Sequence, residues 1–142
     1  MIEFESPKGH YDADACIVWC FDDRFYKLLK AFGKRQGWAH IDLVKVAGGA
    51  RALAGGPSPD RDFILGEIKK SIRLHHPGKV VLMLHQNCGA YGDSDQFADT
   101  GAEDAARGDD LAAAVAFVKD ELPGTGVVGY YADFKGIYPL AS

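Results

Sequence analysis

Four short apolar runs rich in β-branched residues recur along this chain, and segments with helical spacing separate them. The predicted strands cover residues 15–21, 41–46, 79–84 and 127–131. The predicted helices cover residues 25–36, 60–75 and a segment that ends near residue 122, before a Pro-Gly pair. Alternation of strand and helix is typical of a parallel sheet with helices on both faces. The order of elements predicts a single α/β domain over residues 1–142 with a parallel four-stranded sheet.

Charge and composition exclude several classes of function. The formal net charge is -4 and the basic residues are scattered, so we expect no nucleic acid or anionic membrane as partner. The longest purely apolar run covers residues 111–118, far fewer than the roughly 18 to 20 residues that cross a bilayer. Three cysteines are an odd number, which argues against a disulfide framework and favours a reducing compartment. We expect a cytoplasmic protein.

Candidate metal ligands stand at the ends of two predicted strands. Cys20 lies next to the last residue of the first strand, and His85 and Cys88 follow the third. The carboxyl ends of parallel strands share one edge of the sheet, where open α/β sheets bind ligands. Two thiolates and an imidazole are a ligand set of tetrahedral zinc sites that keep one position open. The alternative is an accidental His-x-x-Cys pattern in which buried cysteines act as small apolar side chains.

A carboxylate and a guanidinium follow Cys20 closely. Asp22 and Arg24 lie two and four residues after it, where the chain leaves the strand. A carboxylate held by arginine stays ionised and accepts hydrogen bonds in a fixed geometry, so it can orient a zinc-bound hydroxide. The alternative is a surface ion pair at the start of a helix. One aspartate is expected to cap that helix, and Asp23 is the better candidate.

A glycine-rich loop follows the second predicted strand. It covers residues 48–59 and includes Gly48 and Gly49 at its start. Glycine lets backbone approach a bound group closely. The alternative is a surface connection between two elements.

The two polar motifs together resemble the signature of the β-class carbonic anhydrases, Cys-x-Asp-x-Arg followed much later by His-x-x-Cys-Gly. The matching residues are Cys20, Asp22 and Arg24, then His85, Cys88 and Gly89. Residues 46–49 are similar to the Ala-Gly loop of that family, and residues 127–133 to its last core strand. The resemblance covers about residues 13–136.

This resemblance implies a sheet of order 2-1-3-4 with zinc as the cofactor between strands 1 and 3. It implies metal ligands Cys20, His85 and Cys88, catalytic residues Asp22 and Arg24, and a substrate pocket near Gly48, Gly49 and Gly89. The implied reaction is the reversible hydration of carbon dioxide to bicarbonate. The implied assembly is a homodimer or a higher homo-oligomer.

The chain also departs from the family pattern around the motif aspartate. Bulky Phe21 and acidic Asp23 flank it, and Phe25 and Tyr26 follow the arginine. An extra carboxylate near the pocket can raise the pKa of a zinc-bound water or repel bicarbonate.

Three alternative functions follow from the same residues. The pocket could accept a related molecule, such as carbon disulfide or carbonyl sulfide. The protein could instead be a non-catalytic zinc module in which Asp22 closes the fourth metal position. A redox role for Cys16 and Cys20 is disfavoured, because their spacing does not form a tight Cys-x-x-Cys turn.

Overall fold

The sheet is built from strands rich in valine, isoleucine and aromatic residues, which suit a pleated and buried surface. The computed structural model describes residues 1–92 and 94–141. The strands are β1 (Ala15–Cys20), β2 (Ile41–Val46), β3 (Val80–His85), β4 (Val127–Ala132) and β5 (Ile137–Pro139). Their order is β2-β1-β3-β4-β5, and the first four are parallel. The predicted α/β fold and the order 2-1-3-4 are confirmed.

The prediction of four strands was too low, because β5 adds an antiparallel edge strand. Its residue Tyr138 pairs with Tyr131 of β4. The turn between the two strands is held by Asp133, whose Oδ1 accepts the N–H groups of Lys135 and Gly136 at 2.7 and 2.8 Å. β5 has three residues and ends at a proline, which suits an edge strand. So short a segment shows no alternation of polar and apolar residues that could have predicted it.

Helices cover both faces of the sheet, as predicted. They are α1 (Tyr26–Gln36), α2 (Arg51–Ala54), α3 (Pro59–His75) and α4 (Thr100–Glu121). Helix α1 packs Leu29 and Phe32 against one face, while α2, α3 and α4 contribute to the core on the other. Every residue of β1 and β3 is buried, which explains their continuous apolar runs. Among the described helices, none has the length and hydrophobicity to cross a membrane.

The segment between β1 and α1 corrects the predicted helix cap. A short 3-10 turn, Asp23–Phe25, precedes α1, and its N-cap is Asp22 rather than Asp23. The Asp22 side chain accepts the N–H of Arg24 at 3.0 Å. The prediction was wrong because the turn begins at Asp23 itself, so the non-helical residue before it is Asp22. The cap therefore belongs to the carboxylate that lies next to the candidate metal ligands.

The segment between β3 and α4, predicted as a polar loop, contains two more 3-10 turns, Gly89–Tyr91 and Ser94–Gln96. Helix α4 begins after Asp99, whose side chain accepts the N–H of Ala102 at 2.8 Å. This carboxylate provides an N-cap of the usual kind. The long loop is thus anchored at both ends, by β3 and by a capped helix.

Candidate metal centre

Three potential metal ligands meet at the carboxyl edge of the sheet. Cys20 is the last residue of β1 and His85 the last of β3, and the parallel register of these strands pairs Val18 with Leu82. Cys88 follows three residues after His85, next to the turn Gly89–Tyr91. The ligand atoms of Cys20, His85 and Cys88 lie within 4.8 Å of one another, and all three residues are buried. The structure therefore brings the three predicted ligands together.

The imidazole of His85 is oriented with one nitrogen toward this group. Its Nδ1 lies 2.7 Å from the backbone oxygen of Gln86. A carbonyl oxygen only accepts, so Nδ1 carries the proton and Nε2 offers a lone pair. Nε2 is buried and has no hydrogen-bond partner among the described residues. Metal-binding histidines have the same arrangement: one ring nitrogen donates to a carbonyl oxygen, and the other is available to bind the metal.

Cys20 is prepared to act as a thiolate. The Cys88 thiol, the adjacent His85 imidazole and the backbone N–H groups of Asp22 and Gly48 lower its pKa to about 4, although burial acts in the opposite direction. The hydrogen bond to Cys20 and burial raise the pKa of Cys88. The two sulfur atoms thus share a proton that a metal would displace. Thiolates with an imidazole are a donor set that fits zinc.

Cys16 has different surroundings, although it lies on the same strand. Burial raises its pKa to about 11. All three cysteines are free. A buried thiol with a raised pKa is a poor nucleophile, so the structure gives no support to a redox pair of Cys16 and Cys20.

The glycine-rich loop begins in contact with the candidate metal centre. Gly49 has φ +55, and a Cβ there would lie 2.6 Å from the Met83 carbonyl oxygen and 3.0 Å from the Cys20 nitrogen. Gly48 has φ +77 and its N–H donates to Cys20. The start of the loop thus approaches the site, while its later glycines are exposed. Gly89 is exposed and adjoins Cys88, and the pocket role of these three glycines stays a prediction.

Asp22 and Arg24 form a pair with several hydrogen bonds beside the ligands. The Nε of Arg24 lies 3.0 and 3.1 Å from the two carboxylate oxygens of Asp22, and one terminal nitrogen lies 2.7 Å from Oδ2. The hydrogen bonds from Arg24 lower the pKa of Asp22, so this carboxyl group is ionised at neutral pH. Asp22 Oδ2 lies 3.9 Å from Nε2 of His85. The pair is not a surface ion pair isolated from the centre.

Two residues of this centre carried no prediction. Asn87 accepts two hydrogen bonds from Arg24, through its side chain and its backbone oxygen, both at 2.9 Å. Glu103 of α4 is fully buried and accepts the N–H of Asn87 at 2.7 Å. The position of Asn87 inside His-x-x-Cys was a signal that could have been used. An acidic residue in the first turn of a helix is too common to have indicated Glu103.

Aromatic side chains form a wall on the α1 side of the centre. The ring of Phe25 lies 4.5 Å from that of His85 and 5.2 Å from that of Phe134. Phe134 also lies under the Arg24 guanidinium, at 5.3 Å. Phe21 and Tyr26 are 61% and 47% exposed, so neither fills the space between the ligands.

Comparisons with known proteins agree with this description. A family model described as "Putative carbonic anhydrase" matches residues 11–138. No curated protein matches the sequence.

Several solved structures share the fold. A carbonic anhydrase from Streptococcus mutans is 15% identical, with a TM-score of 0.61 over 93% of this chain and 84% of that one. A tetrameric β-carbonic anhydrase from Sordaria macrospora is 16% identical, with a TM-score of 0.59 over 94% and 83%. The apo form of a carbon disulfide hydrolase is 11% identical, with a TM-score of 0.58 over 93% and 81%. At these identities the likeness shows the fold.

Proposed function

Because the chain belongs to the carbonic anhydrase family whose model covers residues 11–138, and has the fold of the β-class enzymes, we propose that it catalyses the reversible hydration of carbon dioxide with zinc as cofactor. The observation that carries the proposal is the ionised Asp22, held by Arg24, at 3.9 Å from the free nitrogen of a buried Cys-His-Cys group. An oriented carboxylate beside such a group can position a nucleophile for reaction.

Cys20, His85 and Cys88 would hold the ion as three protein ligands. Zinc bound there would act as a Lewis acid and make a nucleophile available near neutral pH. Asp22 would accept a hydrogen bond from that nucleophile and turn a lone pair toward the carbon of the substrate. Arg24 keeps Asp22 ionised and fixes the direction of its oxygens.

A non-catalytic zinc module is the second candidate function. The same 3.9 Å separation from His85 Nε2 would let a modest movement bring Asp22 onto the metal and close the fourth position. The hydrogen bonds from Arg24 oppose that movement, since they occupy both carboxylate oxygens. Asp22 also lies outside the group of ligand atoms within 4.8 Å. These observations favour the open site.

The deciding experiment is stopped-flow carbon dioxide hydration by zinc-loaded protein between about pH 7 and 9. We expect wild-type activity that rises with pH, and a loss of roughly 10- to 1,000-fold in Asp22→Asn and Arg24→Ala with zinc content unchanged. Asp23→Asn is the matched control, because Asp23 is the exposed neighbour of Asp22. Protein with full zinc content and no activity in this pH range would refute the proposed carbon dioxide hydration and favour the non-catalytic zinc module.

The substrate class needs its own comparison. The solved structures with this fold include a carbon disulfide hydrolase, so the proposal extends to related small molecules as a narrower alternative. The same protein assayed with carbon disulfide and carbonyl sulfide should be less active than with carbon dioxide. Activity on the sulfur compounds alone would show that carbon dioxide is not the substrate, and the proposed role of zinc would stand.

We also propose that the protein acts in the cytoplasm as a homodimer or a higher homo-oligomer. Three free thiols suit a reducing compartment. The tetrameric relative from Sordaria macrospora and the open edges of the sheet support self-association.

A further inference from the structure

Glu103 is a buried carboxylate that is bound to the loop of Cys88. Its Oε1 accepts the N–H of Asn87 at 2.7 Å, and its Oε2 accepts the hydroxyl of Ser94 at 2.5 Å. The Ser94 oxygen in turn accepts a hydrogen bond from Nδ2 of Asn87 at 3.1 Å. Burying a carboxylate is costly unless its oxygens are hydrogen-bonded. Both oxygens of Glu103 are used to hold this loop against α4.

Asn87 carries the connection from that loop to Arg24. Its Oδ1 and its backbone oxygen each accept a hydrogen bond from the guanidinium at 2.9 Å. Asn87 has φ 54, a left-handed conformation that asparagine adopts more readily than most residues. This backbone geometry places the side chain and the carbonyl oxygen against the same guanidinium.

Arg24 needs this support because its side chain is 47% exposed. An exposed ion pair by itself orders long side chains poorly. With Asn87 on one side and Asp22 on the other, the guanidinium plane is fixed at both ends. A continuous series of hydrogen bonds thus leads from α4 to the carboxylate beside the metal ligands.

We propose that Glu103 and Asn87 are positioning residues: Glu103 fixes the loop, Asn87 fixes Arg24, and Arg24 fixes Asp22. The catalytic part of this inference rests on the function proposed above. The structural part, that Asn87 orders Arg24, can be tested without any assay of activity.

The structural test follows the Nε–H signal of Arg24 by ¹H–¹⁵N NMR, assigned with Arg24→Lys. Asn87→Gly removes the side-chain acceptor and keeps a residue that tolerates positive φ. Ser71→Ala is the matched control, since it deletes a buried hydroxyl that donates to Asp42 at 2.6 Å, at the other end of the sheet. We expect the Arg24 signal to broaden or exchange rapidly in Asn87→Gly and to stay sharp in Ser71→Ala. An unchanged signal in Asn87→Gly overturns the proposal.

The catalytic test is a double-mutant cycle with zinc-loaded protein. We expect Asn87→Gly to lower kcat about 10- to 100-fold with normal zinc content, and Ser71→Ala to leave it unchanged. In an Asp22→Asn background the further loss should be less than about 2-fold, because Asn87 acts through Asp22. Losses that multiply in full would contradict this. If wild-type protein is inactive, the proposed function fails, and the Arg24 signal still decides the positioning claim.

Glu103→Gln tests whether Glu103, the first residue in this series of hydrogen bonds, helps to order Arg24. Glutamine can still accept the N–H of Asn87, but its amide nitrogen cannot accept the Ser94 hydroxyl. We therefore expect a partial loss of order at Arg24 and a smaller fall in kcat than in Asn87→Gly. Wild-type values for both measurements would remove Glu103 from the proposal.

Discussion

At the scale of single residues, burial alone does not decide what a cysteine does. Cys16 and Cys20 are both buried on one strand, yet the pKa of Cys16 is raised to about 11 and that of Cys20 is lowered to about 4. Burial is the main cause for Cys16, whereas Cys20 receives hydrogen bonds from Cys88 and from two backbone N–H groups. The donors around Cys20 lie at the end of the strand, where the chain turns, whereas Cys16 in the strand interior interacts with the Ser71 hydroxyl, whose effect on its pKa does not outweigh burial.

The zinc content of single variants should show which cysteines bind the metal. Cys88→Ser should sharply lower zinc per chain, because a serine hydroxyl is a much weaker ligand than a thiolate. Cys16→Ser is the control on the same sheet, and its zinc content should match that of wild type. Both are measured by elemental analysis of protein purified without chelator. Full zinc in Cys88→Ser would remove Cys88 from the ligand set.

At the scale of elements, the turn between β2 and α2 is packed against two strands. The Gly49 backbone approaches both Cys20 of β1 and Met83 of β3, and the Ala50 N–H donates to the Met83 carbonyl at 3.2 Å. This turn therefore packs directly against the backbone of Cys20 and of the neighbouring strand β3.

Gly49→Ala should therefore damage both stability and metal binding. The added Cβ would lie 2.6 Å from the Met83 oxygen at φ +55, so the turn must shift. A cost of about 1–3 kcal/mol in unfolding free energy is typical of such strain, and zinc affinity should fall with it. Gly56→Ala, in the same loop, has no atom of the described residues within 4 Å of its Cβ and should be nearly neutral. Urea unfolding and zinc titration measure the two effects, and equal behaviour of the two variants would contradict the packing argument.

The elements also explain what the sequence could and could not predict. β1 and β3 were recognisable because strands buried on both faces must be apolar throughout, and their polar ends then stand out at Cys20 and His85. β5 and the Asp22 cap were missed because each depends on one or two residues in a local turn. Glu103 was missed because it comes 18 residues after His85, and only the packing of α4 brings it to the loop. The cluster of Cys20, His85 and Cys88 and the pair of Asp22 with Arg24 could be predicted, and the contacts of Glu103 could not.

At the scale of the whole molecule, the carboxylate of Asp42 links several elements at the end of the sheet opposite the candidate metal centre. Asp42 of β2 accepts hydrogen bonds from Tyr11 and Ser71, and His75 lies 2.9 Å away. Burial favours the neutral form of Asp42, but these partners outweigh it and lower its pKa. The group joins the N-terminal segment, β2 and α3.

Stability should consequently fall in acid in a way that depends on Asp42. A lowered pKa in the folded state contributes stability above the unfolded pKa, near 3.9, and this contribution is lost as pH falls through the folded value. The difference in unfolding free energy between wild type and Asp42→Asn should be largest near neutral pH and shrink below about pH 4. Asp120→Asn, an exposed change near the end of α4, should show no such trend. A constant difference for Asp42→Asn would contradict the linkage.

The open edge of the sheet bears on the assembly. Among the described strands β2 pairs with β1 alone, and Leu43 of that strand and Tyr26 of α1 are 43% and 47% exposed. An unpaired edge strand with apolar neighbours is a site for association. We expect light scattering at micromolar concentration to give at least twice the chain mass of 15.4 kDa. A mass of one chain would refute the proposed oligomer.

Trp19 gives the molecule a built-in optical probe. Its indole is fully buried and its ring centre lies 5.7 Å from that of His85. Emission from an indole responds to charge placed on a neighbouring ring, so a cation on the imidazole should alter its intensity. The chain has two tryptophans, and the second, Trp38, lies beyond the far end of α1. With Trp38 replaced by phenylalanine, the remaining fluorescence would follow occupancy of the centre in real time, without dye, label or substrate.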